Sequence, residues 1–309
     1  MEDRSLATLQ YFPQDQDITH KLIMRIDDNP SAASEQIAQR TDANLLTMTS
    51  DFDVHDDDIH RCHINSPFGL FDQRIRAFFE AAIDCDLIID ITTLPKKFFF
   101  FLIKKALQWD HGFNNIIVTY AEPEQYCDDN LAGNPEPWEV LPGFRAKLGT
   151  PSPDKIVVGI GYEPLGLPGL AESGEFNEGT TVFLLPFPTQ PDRNTKNWKF
   201  IHQIFPNSEN LRLDIRRVDA MNVPEVFDTI SGVGEHGETV LSLAPFGPKP
   251  VSLAMALYAS KTAELANNTS VLYTQPTYYN PDYSIGIKMR SGIPIINTYC
   301  IKRNGVKLY

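Results

Sequence analysis

Long apolar runs are missing from this 309-residue chain. None approaches the ~20 residues that a helix needs to cross a bilayer. The opening Met1-Glu2-Asp3-Arg4 lacks the basic-then-apolar layout of a signal peptide. Cysteine is scarce: Cys62, Cys85, Cys127 and Cys300 are scattered and form no C-x-x-C pair. Free thiols in a reducing compartment are expected, and the cytoplasm is the simplest location. Basic residues are short as well, 27 Lys and Arg against 40 Asp and Glu, for a net charge of −13. Affinity for a nucleic-acid backbone comes from Lys and Arg. That class of partner is set aside, as is a membrane, although one local basic pocket is still allowed. The patterns G-x-x-x-x-G-K-[ST], H-E-x-x-H and G-x-S-x-G are also missing. No catalytic residue, metal ligand or cofactor is assigned.

What is present is ordinary for a globular protein, with 42% apolar and 22% charged residues. The length suits two domains, expected at 1–150 and 151–309. The stretch Leu87-Ile88-Ile89-Asp90-Ile91-Thr92-Thr93-Leu94-Pro95-Lys96-Lys97 reads as a buried strand, a short turn and the start of a helix. Val240-Leu241-Ser242-Leu243-Ala244-Pro245-Phe246-Gly247-Pro248-Lys249-Pro250 reads the same way. Lys249, Pro276 and Tyr279 each lie 153 positions after Lys96, Pro123 and Tyr126, about half the chain. The expected fold is therefore α/β: two tandem Rossmann-like units with mostly parallel sheets, related by internal duplication.

Along the chain, residues 7–12 and 20–26 read as strands, 30–39 as a short helix and 44–49 as another strand. The acidic stretch 51–58 reads as an exposed loop. Ser66-Pro67 looks like a cap before a helix whose apolar face carries Phe71, Ile75, Phe78, Phe79 and Ala82. The continuous apolar run at 87–91 suggests a strand buried on both faces. The helix after Pro95 carries Phe98-Phe99-Phe100-Phe101-Leu102-Ile103, so it is buried or faces a partner. A strand at 115–120 precedes a long connection over 122–153. In the second half, strands are expected at 155–160, 181–185, 211–218, 239–244 and 270–274. Helices are expected at 194–205, after the Asn222/Glu225 capping box, and from Pro250. Residues 284–289 and 294–302 read as a closing antiparallel pair.

The two strand-to-helix turns carry the chemistry. Amides at a helix N-terminus favour anions, and ligands of parallel sheets bind at the carboxyl ends of strands. Lys96 and Lys249 add charge there, Thr92 and Thr93 add hydroxyls, and Phe246 lines the second turn. Tyr126 and Tyr279 are placed to stack on a base or bond a ribose. These seven residues form the candidate site for a nucleotide or another phosphorylated small molecule. The plainer alternative is that proline and lysine merely open a soluble helix. The His55, His60, Cys62, His63 and Asp cluster within 53–63 holds metal-ligand types at no familiar zinc spacing, and reads as a solvated loop. Gly232-x-Gly234-x-x-Gly237 follows a helix rather than a strand, so it reads as a helix end and turn. Gly159-Ile160-Gly161-Tyr162-Glu163-Pro164 does follow a strand and is a second ligand-loop candidate.

A strand ending in Asp90-Ile91-Thr92, then a turn and Lys96 opening a helix, resembles the ligand-binding turn of CARF domains. Two such units in one chain resemble the SAVED architecture. The resemblance implies a Rossmann-like sensor of cyclic oligonucleotides in prokaryotic antiviral defence. The R-x4-6-H pattern of HEPN ribonucleases is absent, so the resemblance further implies an adaptor with a separate protein partner, or a homo-oligomer. Two rivals stand beside it. One is a nucleotide-processing enzyme using Asp90, Glu122 or Glu163. The other is a ligand-free scaffold that uses the phenylalanine-rich helix and the acidic loops as contact surfaces.

Overall fold

The computed structural model describes residues 2–13, 17–109, 112–172, 174, 177–188, 191–206 and 212–309. In chain order it begins with α1 (Ala7–Gln10), β1 (Ile23–Asp27), α2 (Ser34–Asp51), β2 (Ile59–His63), α3 (Phe68–Ala81), β3 (Leu87–Asp90), α4 (Lys96–Leu107) and β4 (Ile116–Ala121). Next come β5 (Pro123–Tyr126), β6 (Ala132–Pro135), β7 (Glu139–Val140), β8 (Lys155–Gly159), α5 (Leu167–Glu172), β9 (Thr181–Pro186), α6 (Pro191–Ile204), β10 (Asp214–Val218) and α7 (Val223–Val233). The chain closes with β11 (Leu241–Pro245), α8 (Lys249–Glu264), β12 (Thr269–Tyr273), β13 (Pro276–Tyr279), β14 (Ser284–Ile287), β15 (Met289–Arg290), β16 (Ile293–Pro294), β17 (Ile296–Arg303) and β18 (Val306–Lys307). The protein is thus α/β, and among the described residues no helix is long and apolar enough to cross a membrane. Two compact units share the chain. Unit 1 comprises Met1–Pro95, Gln108–Asn134 and Thr277–Leu308, and unit 2 comprises Lys96–Leu107, Pro135–Pro276 and Tyr309.

Unit 1 holds a four-stranded sheet in the order β18-β17-β4-β3, with β3 parallel to β4 and β17 antiparallel to it. β1 pairs in parallel with β2, β5 pairs with β14, and β6 with β13. Of the face expected for α3, Phe71, Ile75, Phe79 and the following Ala82 are all at most 3% exposed, whereas Phe78 is half-buried. Phe79 packs edge-on to Phe113 at 5.0 Å and to Trp109 at 5.4 Å.

Several local expectations fail in this unit. Residues 7–10 are helical, because Leu6 and Leu9 meet a small core of Met48 and Val54 at helical spacing. The predicted helix at 30–39 and strand at 44–49 are one 18-residue helix, α2, in which Leu45 and Met48 turn to that same core. Helical spacing of the apolar residues outweighs the local pull of Thr47 and Thr49 toward strand. β3 is a sheet edge rather than a doubly covered strand, so Ile88 is 38% exposed between buried Leu87 and Ile89. Residues 284–289 and 294–302 do not pair along their length. β14 joins β5 and β17 joins β4, while only the short β15–β16 hairpin links the two.

Unit 2 is built on a six-stranded sheet in the order β10-β9-β8-β11-β12-β7. The first five strands are parallel and β7 is antiparallel to β12. The apolar runs of β9 and β11 are buried at every position, as expected of parallel strands covered on both faces. One face packs Val158, Phe183, Phe200, Ile201 and Ile204 into a core. α7 starts where the capping box places it, with the Asn222 Oδ1 accepting from the Glu225 N–H at 3.3 Å. It ends at Gly234, and the turn closes at Gly237 with φ +104°. α8 is buried nearly all round because it lies among β11, β12, α7 and α4. Its Ser252, Ser260 and Thr262 hydroxyls bond back to carbonyls of its own chain, which satisfies them without water. The strand expected to start at Leu211 begins there outside the described residues, as does part of the expected loop at 166–179.

Candidate functional site

In unit 2 the chain runs outward from β8 to β9 and β10, then returns to place β11 on the other side of β8. The strand order therefore reverses between β8 and β11. Crevices at such a reversal, outside the carboxyl ends of the strands, are where open α/β sheets bind ligands. The two loops that leave this point are Gly159-Ile160-Gly161 and Phe246-Gly247-Pro248-Lys249, both singled out in the sequence.

The loops touch backbone to backbone, and glycine is what permits it. A Cβ on Gly161 would lie 2.3 Å from the Phe246 carbonyl oxygen, and one on Gly247 would lie 3.0 Å from that of Ile160. The Phe246 ring is buried, 5.4 Å from Trp138 and 5.8 Å from Phe200. The Trp138 Nε1 beside it is buried and has no hydrogen-bond acceptor among the described residues. Phe246 is thus the hydrophobic floor of the turn rather than a free stacking platform.

Lys96, the first residue of α4, reaches this same point. Its Nζ donates to the carbonyls of Pro245 at 2.5 Å and Gly247 at 2.8 Å, the last residue of β11 and the turn that follows. Lys249 opens α8 immediately beyond. Burial, and then the charge of Lys249, lower the Lys96 pKa from an ordinary 10.5 to about 7. The Lys96 amine and the start of α8, which Lys249 opens, therefore meet at one sheet reversal within unit 2.

The other four candidates belong to unit 1. Thr92 is fully buried, and its Oγ1 accepts from the Ala121 N–H at 2.9 Å, tying the end of β3 to β4. Thr93 follows, partly buried. Tyr126 shares a hydrogen bond of 3.2 Å with the Tyr120 hydroxyl and packs edge-on to Tyr283 at 5.9 Å. Burial, then Tyr120, push the Tyr126 pKa well above the usual phenol value. Tyr279 meets the same Tyr283 ring at 6.2 Å. The two tyrosines thus belong to one aromatic cluster, beside which Arg4 bonds the Ala121 carbonyl and Ser284. Sequence reading gave Arg4 no role, since nothing local marks an arginine four residues from the start as buried.

Asp90 and Glu122, both weighed for catalysis, are engaged. Asp90 Oδ1 accepts from the Thr92 N–H at 2.7 Å. Glu122 takes bonds from Lys288 at 2.7 Å and Asn297 at 3.1 Å. Among the described residues no three His, Cys, Asp or Glu side chains are placed to hold a metal ion. His60, Cys62 and His63 lie on β2, and Asp56–Asp58 forms a single 3-10 turn before it. Trp138 was missed as a neighbour of the site, because it lies 108 positions before Phe246 with no shared motif. No protein-family model matches this sequence, and no curated protein matches it either.

Proposed function

We propose that this chain is a non-catalytic sensor or adaptor that binds a nucleotide-type anion, or another phosphorylated small molecule, at the carboxyl ends of β8 and β11. The observation that carries the reading is the Lys96 amine held on the Pro245 and Gly247 carbonyls beside Lys249. Cations are favoured at helix C-termini and disfavoured at N-termini. Here Lys96 and Lys249 each occupy the first residue of a helix, and they repel one another. Such local rule-breaking is expected where function requires it. An anion at this point would meet the two lysines and the positive helix ends together. Each helix end would contribute roughly 0.3–1 kcal/mol, and each charged hydrogen bond about 1.5–3 kcal/mol.

The same reading takes the fold as two Rossmann-like units related by internal duplication. In support, β3–α4–β4–β5 and β11–α8–β12–β13 follow one order, with β3 parallel to β4 and β11 parallel to β12. By the resemblance of the Asp90–Lys96 turn to CARF and SAVED sensors, the protein works in the cytoplasm, in prokaryotic antiviral defence, and signals to a protein partner or a second copy. Of the helix that the scaffold rival would use, Phe98, Phe99 and Phe100 are at most 1% exposed, whereas Phe101 and Leu102 are half-buried.

The test is calorimetric titration of linear and cyclic oligonucleotides, mononucleotides and inorganic phosphate. Lys249→Ala should weaken binding by about ten- to a hundredfold, since ~1.4 kcal/mol is a factor of ten. Absence of binding by the wild-type protein to every one of these anions would sink the reading.

A further inference from the structure

The amine of Lys96 is arranged for more than electrostatic contact. Two of its hydrogen positions are taken by the Pro245 and Gly247 carbonyls. In a neutral amine both N–H bonds are thereby directed, and the lone pair is left at the remaining tetrahedral position. Lysine becomes a nucleophile toward carbonyl carbon when it is desolvated or set next to another cation. Both conditions hold here, and Lys96 as a whole residue is only partly buried. Lys249 and the N-terminus of the 16-residue α8 lie beside it and suit the anionic group of an incoming molecule.

We propose that Lys96 forms an imine with a phosphorylated aldehyde or ketone, held by its phosphate on Lys249 and the first turn of α8. This rests on the anion-binding reading of the same site and narrows its ligand to a carbonyl compound. The nitrogen lone pair attacks the carbonyl carbon, and the C=O π pair moves to oxygen, which takes up a proton. The nitrogen loses one proton to give the neutral carbinolamine, the hydroxyl takes up a second proton and leaves as water as the nitrogen lone pair forms the C=N bond, and the iminium nitrogen then releases its remaining proton. The balance is one amine and one carbonyl giving one imine and one water, with no oxidant or reductant.

Pyridoxal 5′-phosphate, an anionic aldehyde, is the probe, with borohydride reduction to fix the imine and peptide mass spectrometry to locate it. An ordinary lysine is neutral at about one part in three thousand at pH 7, whereas the lowered pKa of Lys96 leaves a far larger neutral fraction there. Labelling of Lys96 at pH 7 should exceed that of the exposed Lys147 and Lys199 by at least tenfold. Excess inorganic phosphate should suppress it, and pyridoxal, which lacks the phosphate, should label it at least tenfold more slowly. Lys96→Arg should remove the label from that peptide alone. Lys249→Ala should slow labelling of Lys96 by tenfold or more. Labelling of Lys96 no faster than of the exposed lysines overturns the proposal, whatever the calorimetry shows. Anion binding by calorimetry in that case leaves the sensor reading standing by itself. Rapid labelling of Lys96 by both aldehydes alike, with no effect of phosphate, overturns the phosphate-held ligand and the anion reading together.

Discussion

Lys96 has consequences at the residue scale that can be read in two titrations. In the unfolded chain it titrates near 10.5, and in the folded protein near 7, lowered first by burial and then by Lys249. Between those values the unfolded state binds the extra proton, so stability rises with pH across the window from about 7 to 10.5. It is lowest at and below pH 7, where the folded protein must discard the proton or bury it. One proton corresponds to a slope of about 1.4 kcal/mol per pH unit. Urea melts from pH 7 to 9.5 should show an upward contribution that Lys96→Met removes. An unchanged slope in the variant would mean the amine is well solvated. Ligand binding runs the other way. An anion favours the charged amine, so affinity for a cyclic dinucleotide, whose phosphodiesters stay ionised throughout, should be level below pH 7. Above pH 7 it should fall by up to about tenfold per unit. Lys96→Ala should flatten this profile, and a profile already flat in the wild-type protein would disconnect Lys96 from the ligand.

At the element scale the phenylalanine run of α4 shows how composition and packing divide the information. Four consecutive aromatic residues on a helix announce burial without saying against what. Phe100 meets Phe144 edge-on at 5.5 Å and Phe99 at 5.0 Å, both within unit 2. Truncating Phe99 or Phe100 to Ala should cost about 3–5 kcal/mol, visible as a lower denaturation midpoint. Loss below about 1 kcal/mol would mean that α4 is poorly packed. The glycine of the β8 loop makes a different prediction. Gly161→Ala sets a methyl into the Phe246 carbonyl, so the β8 and β11 loops must separate. A cost of about 1–3 kcal/mol is expected, together with weaker anion binding. Binding unaffected by Gly161→Ala would place the ligand elsewhere.

For the whole molecule, the course of the chain matters more than its halves. Residues 1–150 lack β17 and β14, which complete the pairing of β4 and β5 in unit 1. Residues 151–309 lack α4, which covers α8, and β7, which closes the sheet edge beside β12. Unpaired strand edges and an uncovered apolar helix favour aggregation over folding. The fragments 1–150 and 151–309 expressed separately should therefore lack a cooperative thermal transition that the full chain displays. Independent cooperative melting of both fragments, followed by circular dichroism, would contradict this.

What the amino-acid sequence determined by itself is local. The apolar runs of β9 and β11, the Asn222 cap of α7, the glycine stop at Gly234 and the lysines that open α4 and α8 follow from neighbours a few residues away. Backbone propensity, capping and side-chain periodicity act over that range, so these features were legible. The tertiary structure decided which strands share a sheet. β4 chose β17, with Thr119 opposite Thr298, because any strand's N–H and C=O groups can satisfy any other's and no local pattern names the partner. It also decided that residues 44–49 continue a helix and that β3 is an edge, since both depend on what packs alongside. The state of Lys96 was settled in the same way. Its position was written in the sequence, but its lowered pKa depends on the carbonyls of Pro245 and Gly247, the charge of Lys249 and the exclusion of water. Those are sums over contacts about 150 residues distant along the chain, and they exist only once it has folded.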